Sequence, residues 1–173
     1  SCISIQPVWA AKTDSESIID TAMGTDCSVR VYGFDGTAKD IMDMLSDIEN
    51  KYLSWRIEGS DIANINENAS ESEPVMPSKW TYSYLENVLD LARKSSGAFD
   101  PTLGRVSQLW NLESDNPYIP SKSELTELLL ETGWEKISLS DGEVFLKDSV
   151  QIDLGAVGKG IGCDEARKML EEA

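Results

Sequence analysis

The sequence predicts an α+β fold, an antiparallel sheet with helices packed on it. Strand-like alternation occupies 27–33 and 136–155, the latter folded back at Asp141-Gly142. Helix-period patterns occupy 37–54, 80–97 and the end of the chain. These elements come in blocks, helices segregated from strands, which favours α+β over a doubly wound parallel sheet. Strands 27–33 and 143–153 are expected to share one antiparallel sheet, with helices near 37–54 and 80–96 on one face.

Residues 1–20 show no periodicity and read as an N-terminal tether, leaving 21–173 as one domain. "CSVRVYG" (27–33) alternates Val29 and Val31 with Ser28, Arg30 and Tyr32, and stops at Gly33. Thr37 looks like the N-cap of a helix whose Ile41, Met44, Leu45, Ile48 and Leu53 fall close to one face. Residues 56–78 are rich in Ser, Asn, Glu and Pro and read as loop, with a short helical turn at 60–65. "WTYSYLENVLDLARKSSG" (80–97) is a helix with Gly97 at its C′ position. After an acidic loop at 113–120, Ser121 or Ser123 opens a helix that runs to about Leu130 and stops at Gly133. The hairpin 136–155 follows, and a final helix begins at "KGIGCDEARKMLEEA" (159–173).

Composition narrows the function classes. The 173 residues carry 15 basic and 31 acidic side chains, a formal charge of −16. Such a surface repels phosphate backbones and anionic lipid headgroups, and otherwise serves as a solvated, solubilising face. There is no histidine, so acid/base or metal chemistry must use carboxylates, carbonyls, hydroxyls, Lys or Cys. No apolar run approaches a membrane span. The three cysteines, Cys2, Cys27 and Cys163, form no CxxC pair, which argues against a zinc knuckle or a disulfide scaffold. Cys2, followed by a polar stretch, is what remains when a bacterial lipoprotein signal is cut before its lipidated cysteine. An arbitrary start of the chain is the equal alternative.

Two Gly-bracketed segments invite a chemical reading. In "GAFDPTLG" (97–104), Gly97 closes a helix and Pro101 holds Asp100 extended, presenting Ala98, Phe99 and Asp100 on a stiff turn. The plainer account is a helix stop followed by an Asx-Pro turn. In "DLGAVGKGIG" (153–162), Gly155, Gly158, Gly160 and Gly162 bare the backbone beside a helix N-terminus, physically a cradle for a diphosphate. Close strand–helix packing would use the same glycines, and neither GxxxxGK[ST] nor GxGxxG is present. Met23 in a Met-Gly turn, and Trp55 after the first helix, would suit the faces of a flat heteroaromatic ring. Each alone is more often core.

Taken in order, these segments resemble the bacterial ApbE family, the FAD:protein FMN transferases once described as thiamine-biosynthesis lipoproteins. The resemblance runs from Met23-Gly24-Thr25 through Tyr32, then Tyr52, Ser54, Ser60, Asp61, Ile62 and Asn66. It continues through Gly97 to Trp110 and Asp153 to Gly160. It implies binding of FAD and, with Mg²⁺, transfer of FMN onto a Thr or Ser of a target flavoprotein. By position it implies flavin-nucleotide contacts from Met23, Trp55, Ala98, Phe99, Asp100, Gly155, Lys159 and Ile161, with Ile161 where many members have Tyr. The Gly158 carbonyl is the implied metal ligand. No catalytic residue is implied. The lipoprotein resemblance places the protein outside the cytoplasm, anchored through Cys2 at the periplasmic or cell-surface side of a bacterial membrane.

Family members are considerably longer and carry a further His/Asp-Pro block and an Asp/Thr metal segment. The expectation is therefore the N-terminal portion of the family's α+β fold. A companion C-terminal chain or segment would complete it and cover apolar surface left exposed. The alternative is a truncated relative, a flavin-binding or structural module without transfer activity.

Overall fold

The computed structural model describes residues 14–33, 36–112 and 114–172. Cys2 and most of the expected tether lie outside them. The described chain begins as a strand, β1 (Ser15–Ala22), paired antiparallel with β2 (Thr25–Tyr32). Ala22 and Thr25 are the last partners, so Met23 and Gly24 form a two-residue turn, both with positive φ (53° and 66°). That is the tight turn whose twist matches a hairpin.

Residues 15–20, expected as tether, thus belong to the sheet. Their alternation is concealed because one of the less exposed positions, Glu16, is acidic. Its Oε2 accepts from the Ala38 N–H (3.4 Å) in the first turn of α1 (Thr37–Ile48), where a helix N-terminus favours an anion. Gly36 in the left-handed region, rather than Thr37, occupies the N-cap and makes no side-chain capping bond. The partner of β2 is therefore β1, not 143–153. Val31, Ala38 and Ile41 form a small core beneath this hairpin, joined by Ile18, Val29 and Leu45.

The helix continues beyond Ile48 as a wide π-type turn over Glu49–Leu53, closed by the Ser54 N–H on the Glu49 carbonyl at 3.1 Å. The expected short turn at 60–65 is a full helix, α2 (Asp61–Asn68), capped by Ser60. Ser78 caps α3 (Lys79–Lys94), and the Asp61 carboxylate accepts from the Ser78 N–H, the Ser78 hydroxyl and the Thr81 hydroxyl. Ser96 (φ 54°) takes the left-handed position after α3, with Gly97 (φ 77°) next to it.

A helix not expected from the sequence, α4 (Gly104–Trp110), follows the FDPT turn. α5 (Lys122–Glu131) starts at Ser121 with a reciprocal capping box to Glu124. The second hairpin is β3 (Ile137–Ser140) with β4 (Glu143–Leu146), turning at Asp141 and Gly142, both at positive φ. It stops earlier than expected. Asp148 and Ser149 adopt positive φ, and residues beyond them bridge elsewhere, Gln151 pairing in parallel with Leu103. The sheets are thus two separate two-stranded hairpins.

The main core packs against the second hairpin, through Ile137, Val144 and Leu146. Ile62, Ile65, Leu85, Val144, Ile152 and Leu154 are almost fully buried there. The last helix, α6 (Gly155–Glu172), spans both cores, with Ile161 in the larger and Ala166, Met169 and Leu170 against the smaller. Tyr84 of α3 donates to Glu165 of α6, and Lys168 donates to both. Ile19, Leu112, Ile119 and Leu130 remain exposed. Among the described residues, no helix is long and apolar enough to cross a membrane.

Candidate functional site

Three segments distant in sequence converge on one cleft of about 200 Å³. The β1–β2 turn supplies Met23 and Gly24, the wide turn and its exit supply Glu49 and Leu53 to Arg56, and the start of α6 supplies Asp153 to Gly155, Gly158 and Lys159. The volume falls below the roughly 300–1,000 Å³ that encloses a drug-sized ligand, so the cleft can take one part of a dinucleotide.

Each wall has a local cause. In an ordinary α-turn the chain after Ile48 would keep its course. The i→i+5 bond at Glu49 widens it, and Ser54 turns out in extended conformation (ψ 113°), held by the Ser60 hydroxyl on its carbonyl at 2.6 Å. Trp55 is thereby set on the rim, with the Arg56 guanidinium 4.1 Å from its ring centroid. The indole Nε1 is shut off from solvent and has no hydrogen-bond partner among the described residues. Buried donors are nearly always paired, so this orphan is unusual. Beyond the Trp55–Arg56 pair lies a second, more open hollow of about 370 Å³ with Glu58, Asn66, Glu67, Gln108 and Gln151 in its lining.

The Gly-rich segment differs from the expected bare turn. α6 starts at Gly155, so the glycines lie in its first turns instead of before it. The Gly155 N–H donates to Asp153 Oδ1 (2.8 Å), and the Val157 and Gly158 N–H groups donate to the Leu154 carbonyl. Among the first-turn donors, this leaves the Ala156 N–H uncommitted within the described residues. The glycines also divide by role. A Cβ on Gly162 would lie 2.6 Å from Leu45 Cδ2 and 3.2 Å from Met23 Cε, so its hydrogen makes room for packing. A Cβ on Gly160 would meet nothing, and one on Gly155 would meet only Asp153 Oδ1, at 3.1 Å.

Charge in the cleft is balanced, Glu49 and Asp153 against Arg56 and Lys159. Lys159 is exposed and has no ion-pair partner among the described residues. This local balance contrasts with the chain's −16.

Of the residues the sequence singled out, the fold brings Met23, Trp55, Gly155, Gly158 and Lys159 together. Ala98, Phe99 and Asp100 do not line this cleft. Asp100 Oδ1 accepts from the Thr102 N–H (2.8 Å) and hydroxyl (2.6 Å), and Oδ2 accepts from the Trp134 N–H (3.2 Å). This is the Asx-Pro turn. Ile161 does not line it either: at 6% exposure it packs in the main core, because it falls on the inner face of α6.

Glu49, Arg56 and Asp153 were not singled out from the sequence. The wide turn that aims the first two has no sequence signature, since its residues continue a helical pattern.

The implied Mg²⁺ lacks a ligand set here. No group of three or more Asp, Glu, His or Cys among the described residues could hold a metal ion. Gly158 lies inside α6, where carbonyls serve the helical ladder. The described residues thus hold no preformed carboxylate cluster for the ion.

Comparison with known proteins identifies the family. The profile of the ApbE family matches residues 23–173. An FAD:protein FMN transferase of Treponema pallidum is 30% identical over 174 residues, covering 92% of this chain and 48% of that protein. One from Chlamydia muridarum is 32% identical over 129 residues, covering 73% and 40%. Among solved structures, an ApbE protein of Thermotoga maritima superposes with a TM-score of 0.82 at 30% identity, covering 90% of this chain and 52% of that one. The chain spans about half the length of the relatives it matches.

Proposed function

Since this chain belongs to the ApbE family, we propose that it supplies the flavin-nucleotide cleft of an FAD:protein FMN transferase. The observation that carries this reading is the convergence of Met23, Trp55, Gly155, Gly158 and Lys159 on one charge-balanced cleft. In the reaction, the hydroxyl oxygen of a Ser or Thr on a target flavoprotein attacks the FMN-side phosphorus of FAD. A phosphoester forms, the bond from the FMN phosphorus to the bridging oxygen breaks, AMP leaves with that oxygen and the electron pair, and the hydroxyl proton passes to solvent.

In this reading, residues of this chain bind and orient. Met23 and Trp55 flank a flat ring system. The N-terminal end of α6, where Gly155, Gly158 and Lys159 line the cleft, favours a phosphate group. Asp153 keeps the Gly155 N–H satisfied and the helix start fixed. Gly155 keeps the backbone open to the ligand. Magnesium belongs to the family resemblance, and its ligands would come from residues other than those described, such as a C-terminal segment or companion chain. Attachment through Cys2 to the outer side of a bacterial membrane is part of the same proposal.

Incubation of the intact protein with FAD, Mg²⁺ and a Ser/Thr-containing flavoprotein tests it. The expected result is an acceptor heavier by one FMN phosphoryl group, with AMP released in equal amount. FAD binding without transfer would support the alternative of a flavin-binding module, and no FAD binding would reject the cleft assignment.

A further inference from the structure

Two walls of the cleft, the hairpin turn and the wide turn, are joined by one side chain. Glu49 Oε2 accepts a hydrogen bond from the Met23 N–H at 2.6 Å, across 26 positions of sequence. Met23 needs such a hold. Its φ of 53° is uncommon for a residue with a side chain, and turns of this type prefer Asn, Asp or Gly. The Met23 thioether meanwhile fills the notch left by Gly162, its carbon and sulfur 3.2 and 3.3 Å from where a Cβ would stand. Glu49 also works through its backbone, since its carbonyl closes the wide turn that sets Ser54 and Trp55 on the opposite rim. One residue thus governs both sides of the opening.

The geometry points to Glu49 as a positioning residue for the flavin nucleotide, its carboxylate fixing Met23 on one rim while its carbonyl sets Trp55 on the other. The inference rests on the cleft being the FAD site. The carboxylate acts through hydrogen-bond acceptance at a defined place, so a neutral acceptor of equal reach serves nearly as well. Glu49→Gln retains that acceptor, Glu49→Asp withdraws it by one methylene, and Glu49→Ala removes it.

FAD titration of the intact protein by flavin fluorescence, with circular dichroism and the Met23 amide resonance in ¹⁵N-labelled material, tests this. The expected result for Glu49→Ala and Glu49→Asp is FAD affinity reduced about tenfold with an upfield shift of the Met23 amide proton. Glu49→Gln is expected within about threefold of the parent. If Glu49→Ala does not fold, the Asp and Gln variants carry the comparison. Parent-like affinity in Glu49→Asp, while Gly155→Val weakens binding, would overturn the role of Glu49 and leave the cleft assignment standing. Parent-like affinity in all of these variants would overturn both. Glu49→Gln binding as weakly as Glu49→Asp would show that charge, rather than position, is what counts, and would also overturn it.

Discussion

Segments 97–104 and 153–162 look alike in sequence, each an Asp among glycines at the junction of two elements, and they end in opposite physical situations. In the first, the chain consumes its own carboxylate. Thr102 and Trp134 occupy both Asp100 oxygens, Thr102 is 1% exposed, and its hydroxyl also accepts from the Gly133 N–H at 2.7 Å. Even the glycine is used up, since a Cβ on Gly104 would lie 2.8 Å from the Gln151 carbonyl oxygen. In the second, Asp153 holds one backbone N–H, and Gly155, Gly158 and Lys159 face an open cleft. A carboxylate beside glycine is therefore no sign of a ligand site by itself. The two carboxylates differ in how many donors they serve, three for Asp100 and one for Asp153, and in that only Asp153 lines the cleft.

Substitutions can break this contrast, the largest effect first. Asp100→Ala strands the Thr102 and Trp134 donors in a partly buried turn and should cost about 3 kcal/mol in denaturant unfolding. A cost below about 1 kcal/mol would show the turn to be ornamental to the fold. Gly162→Ala pushes against Leu45 and Met23, and about 1–2 kcal/mol of destabilisation is expected, with a shifted Met23 methyl resonance. Gly160→Ala, placed in open space within the helix, should stabilise by about 0.5–1 kcal/mol in the same assay. Loss of stability there would mean that the helix start is less regular than described.

The far half of α6 adds a pH-dependent anchor. Burial disfavours the charged form of Glu165, but hydrogen bonds from Lys168, Tyr84 and Trp80 outweigh it and hold the carboxyl below its ordinary range. With the folded value depressed, this contribution is fully present above the unfolded pKa and is lost as pH falls through the folded one. Glu165→Gln should therefore flatten the acid limb of the stability–pH profile, leaving its neutral and alkaline parts nearly parallel to the parent's.

Much of the fold was legible where chemistry is local. A helix start at Ser121, one of the two serines expected, the Asp141-Gly142 turn and most of the helix expected over 80–97 follow from residue type and spacing. The strand at 15–22 was hidden by Glu16, whose destination is a helix end and not water. The pairing of β2 was misjudged because alternation identifies a strand but not its neighbour. The ordered motifs led to Met23, Trp55 and the glycines of α6. They could not show that Ile161 turns into the core, nor that Glu49 reaches back to Met23, because both depend on how segments dock.

The most direct test of the cleft is FAD binding to the intact Gly155→Val protein, followed by flavin fluorescence with circular dichroism as the folding control. Gly155 is exposed on the cleft and a side chain there meets only Asp153, so the fold should persist while the ligand is obstructed. The account predicts parent-like dichroism and affinity reduced about tenfold or more, the loss expected when a backbone approach is blocked. A folded Gly155→Val protein that binds FAD as tightly as the parent would contradict it, and would assign the glycines of α6 to packing alone.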